Sequence, residues 1–410
     1  MAKLLWTQKQ DIGPEPRAGH GMVFDVANRT VVLFGGLAVG GRVLKDTWSW
    51  DGQDWTQLQD IGPAERTEHA MAYDAARQRT ALFGGRSGNA EFSDTWEWDG
   101  DSWTQVQNAG PSARFGHAMA YDAARNRVVL FGGAHLSGAA ESDTWAWDGS
   151  DWSQVEDTGP SARSEHAMAY DSPRSRTVLF GGLAPAQGAT FGDTWEWDGT
   201  VWKHVQDIGP APAAGAAMVF RTATSDLFGG ISSVTNVPGR LLFGLTWEWS
   251  GHLWTARQDI GVSARYDHAM AFDSVRNRVV LFGGRSVPAD AENADAGLKG
   301  DTWEHPDVAS GPSPPPSGVP VVSVSVTPNP ASPGNTITIT VQLQSAAPAG
   351  GSNVDLGGDF GSLGTITVPQ GSSTSSVSIQ LPQNIPGLPI TGNITATDGG
   401  VTQSVSLTIQ

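Results

Sequence analysis

The chain has 410 residues, no cysteine and a formal net charge of −17, from 25 basic against 42 acidic side chains. That excludes disulfides, thiolate metal sites and a thiol nucleophile, and argues against nucleic acid or an anionic lipid surface as partner. No apolar run approaches the ~18 residues of a spanning helix, so no membrane insertion is expected.

The chain opens at MAKLLW and runs straight into a strand, LLWTQKQ (4–10), that carries Trp6 and has no partner strands before it. Export is expected, to the cell surface or beyond, with a leader removed ahead of this start. From there a single pattern recurs every 48 to 52 residues. Residues 66–104 show it plainly: HAMAYD is a short alternating strand, AARQ a turn, and TALFGG a second strand closed by two glycines. After a loop, DTWEWD is a third strand, and SWTQVQ a fourth.

All seventeen tryptophans obey this period. Six open the TW motif (Trp48, Trp96, Trp145, Trp195, Trp247, Trp303), and five follow two residues later (Trp50, Trp98, Trp147, Trp197, Trp249), with His305 in the sixth such place. The last six stand on the fourth strand: Trp6, Trp55, Trp103, Trp152, Trp202 and Trp254. Four short antiparallel strands per repeat describe a propeller blade, and the count is six. The sixth repeat stops at DTWEH (301–305), after its third strand. The N-terminal strand is therefore expected to complete it, closing the ring so that no sheet edge is left open.

The double glycines, the spaced tryptophans and an Arg-x-x-His at the blade start (Arg17–His20, Arg66–His69, Arg114–His117, Arg163–His166, Arg265–His268) resemble the kelch-repeat β-propellers of the galactose-oxidase-like superfamily. The resemblance covers residues 1–305. It implies an all-β, six-bladed ring and, in ligand-binding members, contacts from the turns at the channel mouth. The family includes enzymes and interaction modules alike, so fold alone does not fix activity. Its copper-radical oxidases need a cysteine–tyrosine crosslink, which this chain cannot make.

After the propeller, residues 306–320 (PDVASGPSPPPSGVP) read as a Pro/Ser/Gly linker. Residues 321–410 carry alternating β-branched strands such as VVSVSV, TITITVQLQ and QSVSLTIQ, and a single aromatic, Phe360. They read as an immunoglobulin-like β-sandwich, similar to the modules that bacterial extracellular proteins use as spacers or as contacts to glycan, cell wall or protein. A closed ring and a capped sandwich both stand alone, so a monomer is expected.

Residues that repeat are read as structural. The five blade arginines and the aspartates that open DTW (Asp46, Asp94, Asp143, Asp193, Asp301) are expected to pair and to bridge neighbouring blades. The histidines and tryptophans are expected to pack. Residues that break the period mark the site. The position before each histidine reads Gly19, Glu68, Gly116, Glu165, Gly215, Asp267, so three acids alternate with three glycines and converge on one channel. The loops on that face lengthen to 14 residues in blade five (231–244) and 16 in blade six (285–300). Blade five lacks both the arginine and the histidine, with Ala213 and Ala216 in their places.

Three chemistries suit this cluster. Glu68, Glu165 and Asp267 can be read as ligands of a divalent cation, calcium by preference, since a hard ion takes several oxygens. Such an ion in a binding site would hold a small molecule or glycan. In an enzyme it would polarise an ester, lactone or phosphotriester and activate water, as the calcium-bearing six-bladed lactonases and phosphotriesterases suggest by analogy of fold. Without a metal, Arg86 would pair with Glu68 and Arg285 with Asp267, each 18 residues on, while Leu183 stands at that place opposite Glu165. Glu165 is then the expected proton-transfer residue of a sugar-modifying enzyme. Phe115, Tyr266, Arg86, Arg285 and His135 would bind the sugar, and some six-bladed kelch proteins do act on sialic acids with acidic and arginine groups. The plainest reading is a rim that binds protein or polysaccharide through solvated acids, without catalysis.

Overall fold

A computed structural model describes residues 3–9, 12–59, 61–156, 158–186, 188–206, 208–232, 241–287, 294–306, 321–347, 352–358, 364–380, 390–398 and 401–410. Among them every regular element is a strand apart from two short 3-10 turns. The linker 307–320 and the tips of the two long loops, 233–240 and 288–293, lie outside the described residues. Residue contacts divide the chain into two units, Met1–Asp307 and Val308–Gln410.

In the first unit, the second repeat shows how sequence becomes sheet. Ala70–Asp74 pairs antiparallel with Arg79–Phe83 in the register Ala70 to Phe83 and Asp74 to Arg79. The turn between them is held by Asp74, whose Oδ1 accepts from the N–H groups of Ala76 (3.0 Å) and Arg77 (3.1 Å). Thr95–Trp98 and Trp103–Gln107 complete the sheet. Five four-stranded sheets are assembled in this order, and a sheet of the same order in the first repeat gains a short fifth strand, Arg17–Ala18, paired with Ala38 and Leu37. The sixth takes its last strand from the N-terminus, where Thr7 pairs with Glu304 and Gln8 with Trp303.

The core lies between the sheets. Each of six hydrophobic clusters joins side chains from two neighbouring sheets, including one that packs Trp50 and Trp55 of the first against Val280 and Phe282 of the sixth. The ring is therefore closed, as a β-propeller requires. Tryptophan is favoured in the seams because its apolar body fills them while its N–H reaches a partner across the gap. Trp103 Nε1 donates to Thr47 Oγ1 (2.9 Å), Trp152 to Thr95 (2.8 Å), Trp202 to Thr144 (2.9 Å), Trp254 to Thr194 (2.8 Å) and Trp55 to Thr302 (2.8 Å). Trp147 donates in the same sense to Glu97 and Trp249 to Glu196. Among the described residues the buried N–H groups of Trp98 and Trp197 find no acceptor, because Ser49 and Ala146 stand where those glutamates would be.

Five arginines are wholly buried, yet each is satisfied within its own repeat. Arg66 forks onto Asp94 (2.7 and 2.9 Å) and donates to the Gly84 carbonyl (2.9 Å), and Arg17, Arg114, Arg163 and Arg265 do the same. The expectation that these pairs bridge repeats is thus corrected. The bridging is done by backbone: Gly85 N–H donates to the Arg114 carbonyl (2.9 Å), and the equivalent bond recurs in every seam. That approach explains the glycine pair. At Gly84 (φ +65°) a Cβ would stand 2.7 Å from the Arg114 carbonyl oxygen and 2.8 Å from His117 Cε1.

The second unit is two antiparallel sheets around one core. Val321–Thr327, Thr336–Leu343 and Thr374–Gln380 form one; Gly364–Val368, Ser352–Gly358, Ile390–Asp398 and Val401–Ile409 form the other. Alternate residues of both, among them Ile337, Ile339, Val354, Val368, Ile394 and Leu407, are buried together.

Candidate functional site at the channel mouth

The six residues before the histidine positions form a belt around the channel. Each N–H donates to the carbonyl of its counterpart in the preceding repeat: Glu68 to Gly19 (2.7 Å), Gly116 to Glu68 (2.8 Å), Glu165 to Gly116 (2.6 Å), Gly215 to Glu165 (2.9 Å), Asp267 to Gly215 (2.8 Å), and Gly19 back to Asp267 (2.9 Å). All six have left-handed backbones, with φ between +53° and +65°. Glycine adopts this freely, whereas each acid there costs on the order of 1–2 kcal/mol.

The alternation also has a steric cause. A Cβ at Gly215 would fall 2.6 Å from Asp267 Oδ1, and one at Gly19 would fall 2.4 Å from Thr67 Oγ1. Side chains at each acid-bearing turn cover the glycine of the repeat before, so six side chains do not fit where three do.

The next residue outward is fixed by a two-way backbone bond to the residue after the glycine pair. Thr67 and Arg86 exchange N–H···O bonds of 2.9 Å, and Tyr266 and Arg285 exchange bonds of 3.0 and 2.8 Å. Arg86 and Arg285 are thereby set beside the acids. A mouth cavity of about 470 Å³ is lined by Glu68, Glu165, Asp267, Arg86, Arg285 and Tyr266, with Ser232 and Thr190 among its other walls. The three acids sought from the sequence do face one space.

Their charges are unequally met. Arg86 bonds Glu68 twice, Nη2 to Oε1 at 2.7 Å and Nε to Oε2 at 3.1 Å, and its guanidinium lies 4.6 Å from the Phe115 ring centre. Burial opposes the Arg86 charge, but the bond to Glu68 and the fields of Glu165 and Asp267 outweigh it and raise its pKa. Asp267 is pushed up to about 7, first by burial and then by the charge of Glu68, with Arg285 and Arg86 pulling the other way. The expected Arg285–Asp267 bridge is absent among the described residues: Arg285 acts on Asp267 through its field and makes no bond there. Glu165, opposite Leu183, has a polar interaction of its own. Asp267 is thus a carboxyl of this mouth held to exchange protons near neutrality. His135 is not brought to the mouth; it sits between Glu141 (2.8 Å) and Glu91 (3.5 Å) and lines neither channel cavity.

Beneath the belt is a second cavity of about 150 Å³, walled by the belt residues, His20, His69, His117, His166, His268 and Ala216. These five histidines are buried, each edge-on to a phenylalanine of the neighbouring sheet; their ring nitrogens make no well-formed hydrogen bond among the described residues, though the backbone of Phe282, Phe83 and Phe131 lies near His20, His117 and His166. Burial, then the adjacent blade arginines, hold them neutral: His20, His117 and His166 fall to about 3, and His69 and His268 well below their usual value. Neutral imidazoles each keep one donor and one acceptor.

A divalent ion, calcium above all, needs several oxygen ligands converging on one point. Among the described residues no three His, Asp or Glu side chains stand so as to hold a metal ion. Arg86 brings a positive charge to the acids.

No protein-family model and no curated protein matches the chain. Among solved structures it is similar to that of YjhT, at 15% identity and a TM-score of 0.58, over 71% of this chain and 95% of that one. At that identity the likeness bears on the fold alone. Repeated four-stranded sheets, a closed ring of seams and this likeness together make the first unit a β-propeller.

Proposed function

We propose that the chain is a six-bladed kelch-type β-propeller with an appended immunoglobulin-like module, and that its channel mouth binds a small hydroxylated molecule, a saccharide, without a metal. The carrying observation is Arg86, bonded to Glu68 within the fields of Glu165 and Asp267. It supplies the positive charge that a cation would otherwise bring. Tyr266 offers an apolar face, Arg285 a guanidinium for a ligand oxygen, and Glu165 an acceptor, while Phe115 backs the Arg86 guanidinium and does not line the cavity. Asp267 both donates and accepts at neutral pH, which suits a hydroxyl and equips the site to move a proton. An exported protein whose second unit contacts wall glycan or protein completes the reading.

The test is calorimetric titration with neutral and acidic mono- and disaccharides, in chelator and again in added calcium. Binding should be the same in both, and Arg285→Ala should weaken it about tenfold. Binding that needs calcium, or no saccharide binding at all, would overturn the reading.

A further inference from the structure

The fifth repeat has lost both members of the arginine–aspartate pair. Ala213 replaces the arginine, and Leu245 stands where every other repeat has the aspartate of DTW. What surrounded the pair is kept. In repeats two and four the guanidinium lies flat on a phenylalanine, Arg66 at 4.2 Å over Phe92 and Arg163 at 4.0 Å over Phe191. Phe243 is the same residue in repeat five, with no cation over its face. Elsewhere the aspartate also accepts from the TW indole, as Asp94 does from Trp96 (2.7 Å), and the glycine carbonyl accepts from the arginine. Trp247 Nε1 and the Gly229 carbonyl have neither partner among the described residues.

The gap has not closed. A cavity of about 390 Å³ lies there, walled by Phe180, Leu227, Phe243, Leu245, Trp247 and Pro210 with smaller residues between. Leu245, 47% exposed, opens it to solvent. Backbone bonds on both sides, Gly182 to the Ala213 carbonyl and Gly230 to the Arg265 carbonyl (each 2.8 Å), hold the seams at their usual width. Loss of the arginine alone would have stranded a carboxylate; here both charges went, and an apolar residue took the aspartate's place. The pocket is separate from the mouth: Ala214 faces the mouth, whereas Ala213 faces this cavity.

We propose that this pocket is a second ligand site, for a flat, uncharged aromatic ring lying on Phe243 where a guanidinium lies in the other repeats. Trp247 Nε1 donates to a ring substituent and the Gly229 carbonyl accepts from another. Among the described residues no charged side chain lines the pocket, which disfavours an ion.

The experiment uses the full chain with 4-hydroxybenzamide as probe and benzoate as the charged control, read by saturation-transfer NMR and thermal shift. The wild type should bind the probe and pass over benzoate. Ala213→Arg with Leu245→Asp rebuilds the pair and should weaken the probe by about tenfold or more while saccharide titration at the mouth is unchanged. Phe243→Ala should weaken it too, and serves if the double variant fails to fold. A wild type that ignores the probe, or a rebuilt or Phe243→Ala protein that binds it equally well, would overturn the proposal.

Discussion

The seams and the channel mouth are made from the same repeat and obey opposite rules. Away from the mouth the recurring arginines and indoles are mostly answered: five arginines by five aspartates of the same repeat, and most seam indoles by a threonine or glutamate across the gap. At the mouth three carboxylates adopt a costly backbone, Arg86 bonds Glu68, and Asp267, reached by Arg285 and Arg86 through their fields, holds its proton to about neutrality. Stability resides in what recurs, and the capacity to bind resides where recurrence stops. A break in the period is therefore informative only if its surroundings have not repaired it.

Three substitutions sharpen that contrast. The largest effect is expected inside a repeat: Arg66→Ala strands Asp94 and the Gly84 carbonyl, and should cost about 3–5 kcal/mol in denaturant unfolding. A loss below about 1 kcal/mol would mean the pairs are ornaments. The mouth should respond in the opposite direction. The unfolded chain ionises Asp267 near 3.8 and the folded chain only near 7, so this group withdraws stability as pH rises through that window and withdraws none below it. Asp267→Asn should accordingly raise stability at pH 8 by on the order of 2 kcal/mol, allowing for water in the channel, and leave it unchanged at pH 4. Equal effects at both pH values would remove the claim of a tuned carboxyl. The smallest effect separates decay from use. Ala146→Glu should give Trp197 its missing acceptor, with Arg125 in the place of Arg77 and Arg174, which pair with Glu97 and Glu196, a gain of about 1 kcal/mol by calorimetry. Saccharide binding should not change.

Much of this was legible in the sequence because the period is strict. Strand order, the completing role of residues 4–10 and the pairing of Arg86 with Glu68 follow from spacing once the sheets are stacked. Other features depend on reach rather than spacing. Arg285 has the same offset from Asp267 as Arg86 from Glu68, yet the shorter acid is not met by its arginine. His135 holds a conspicuous position in its loop but is claimed by Glu91 and Glu141. The raised proton affinity of Asp267 is likewise hidden from spacing, because it is set by burial and by the charge of Glu68. Leu245 was overlooked although it stands in the open: a list of aspartates before TW has five members, and the missing sixth is the signal.

The belt of backbone bonds closes on itself, and this constrains how the molecule can change. In an open stack of repeats a copy can be gained or lost at the end for the loss of one interface. Here the Gly19 N–H needs the Asp267 carbonyl, so removing any copy breaks the loop at two places and leaves its flanking strands unmatched. Copy number is frozen, and novelty can enter only by rewriting a copy in place, as has happened in the fifth.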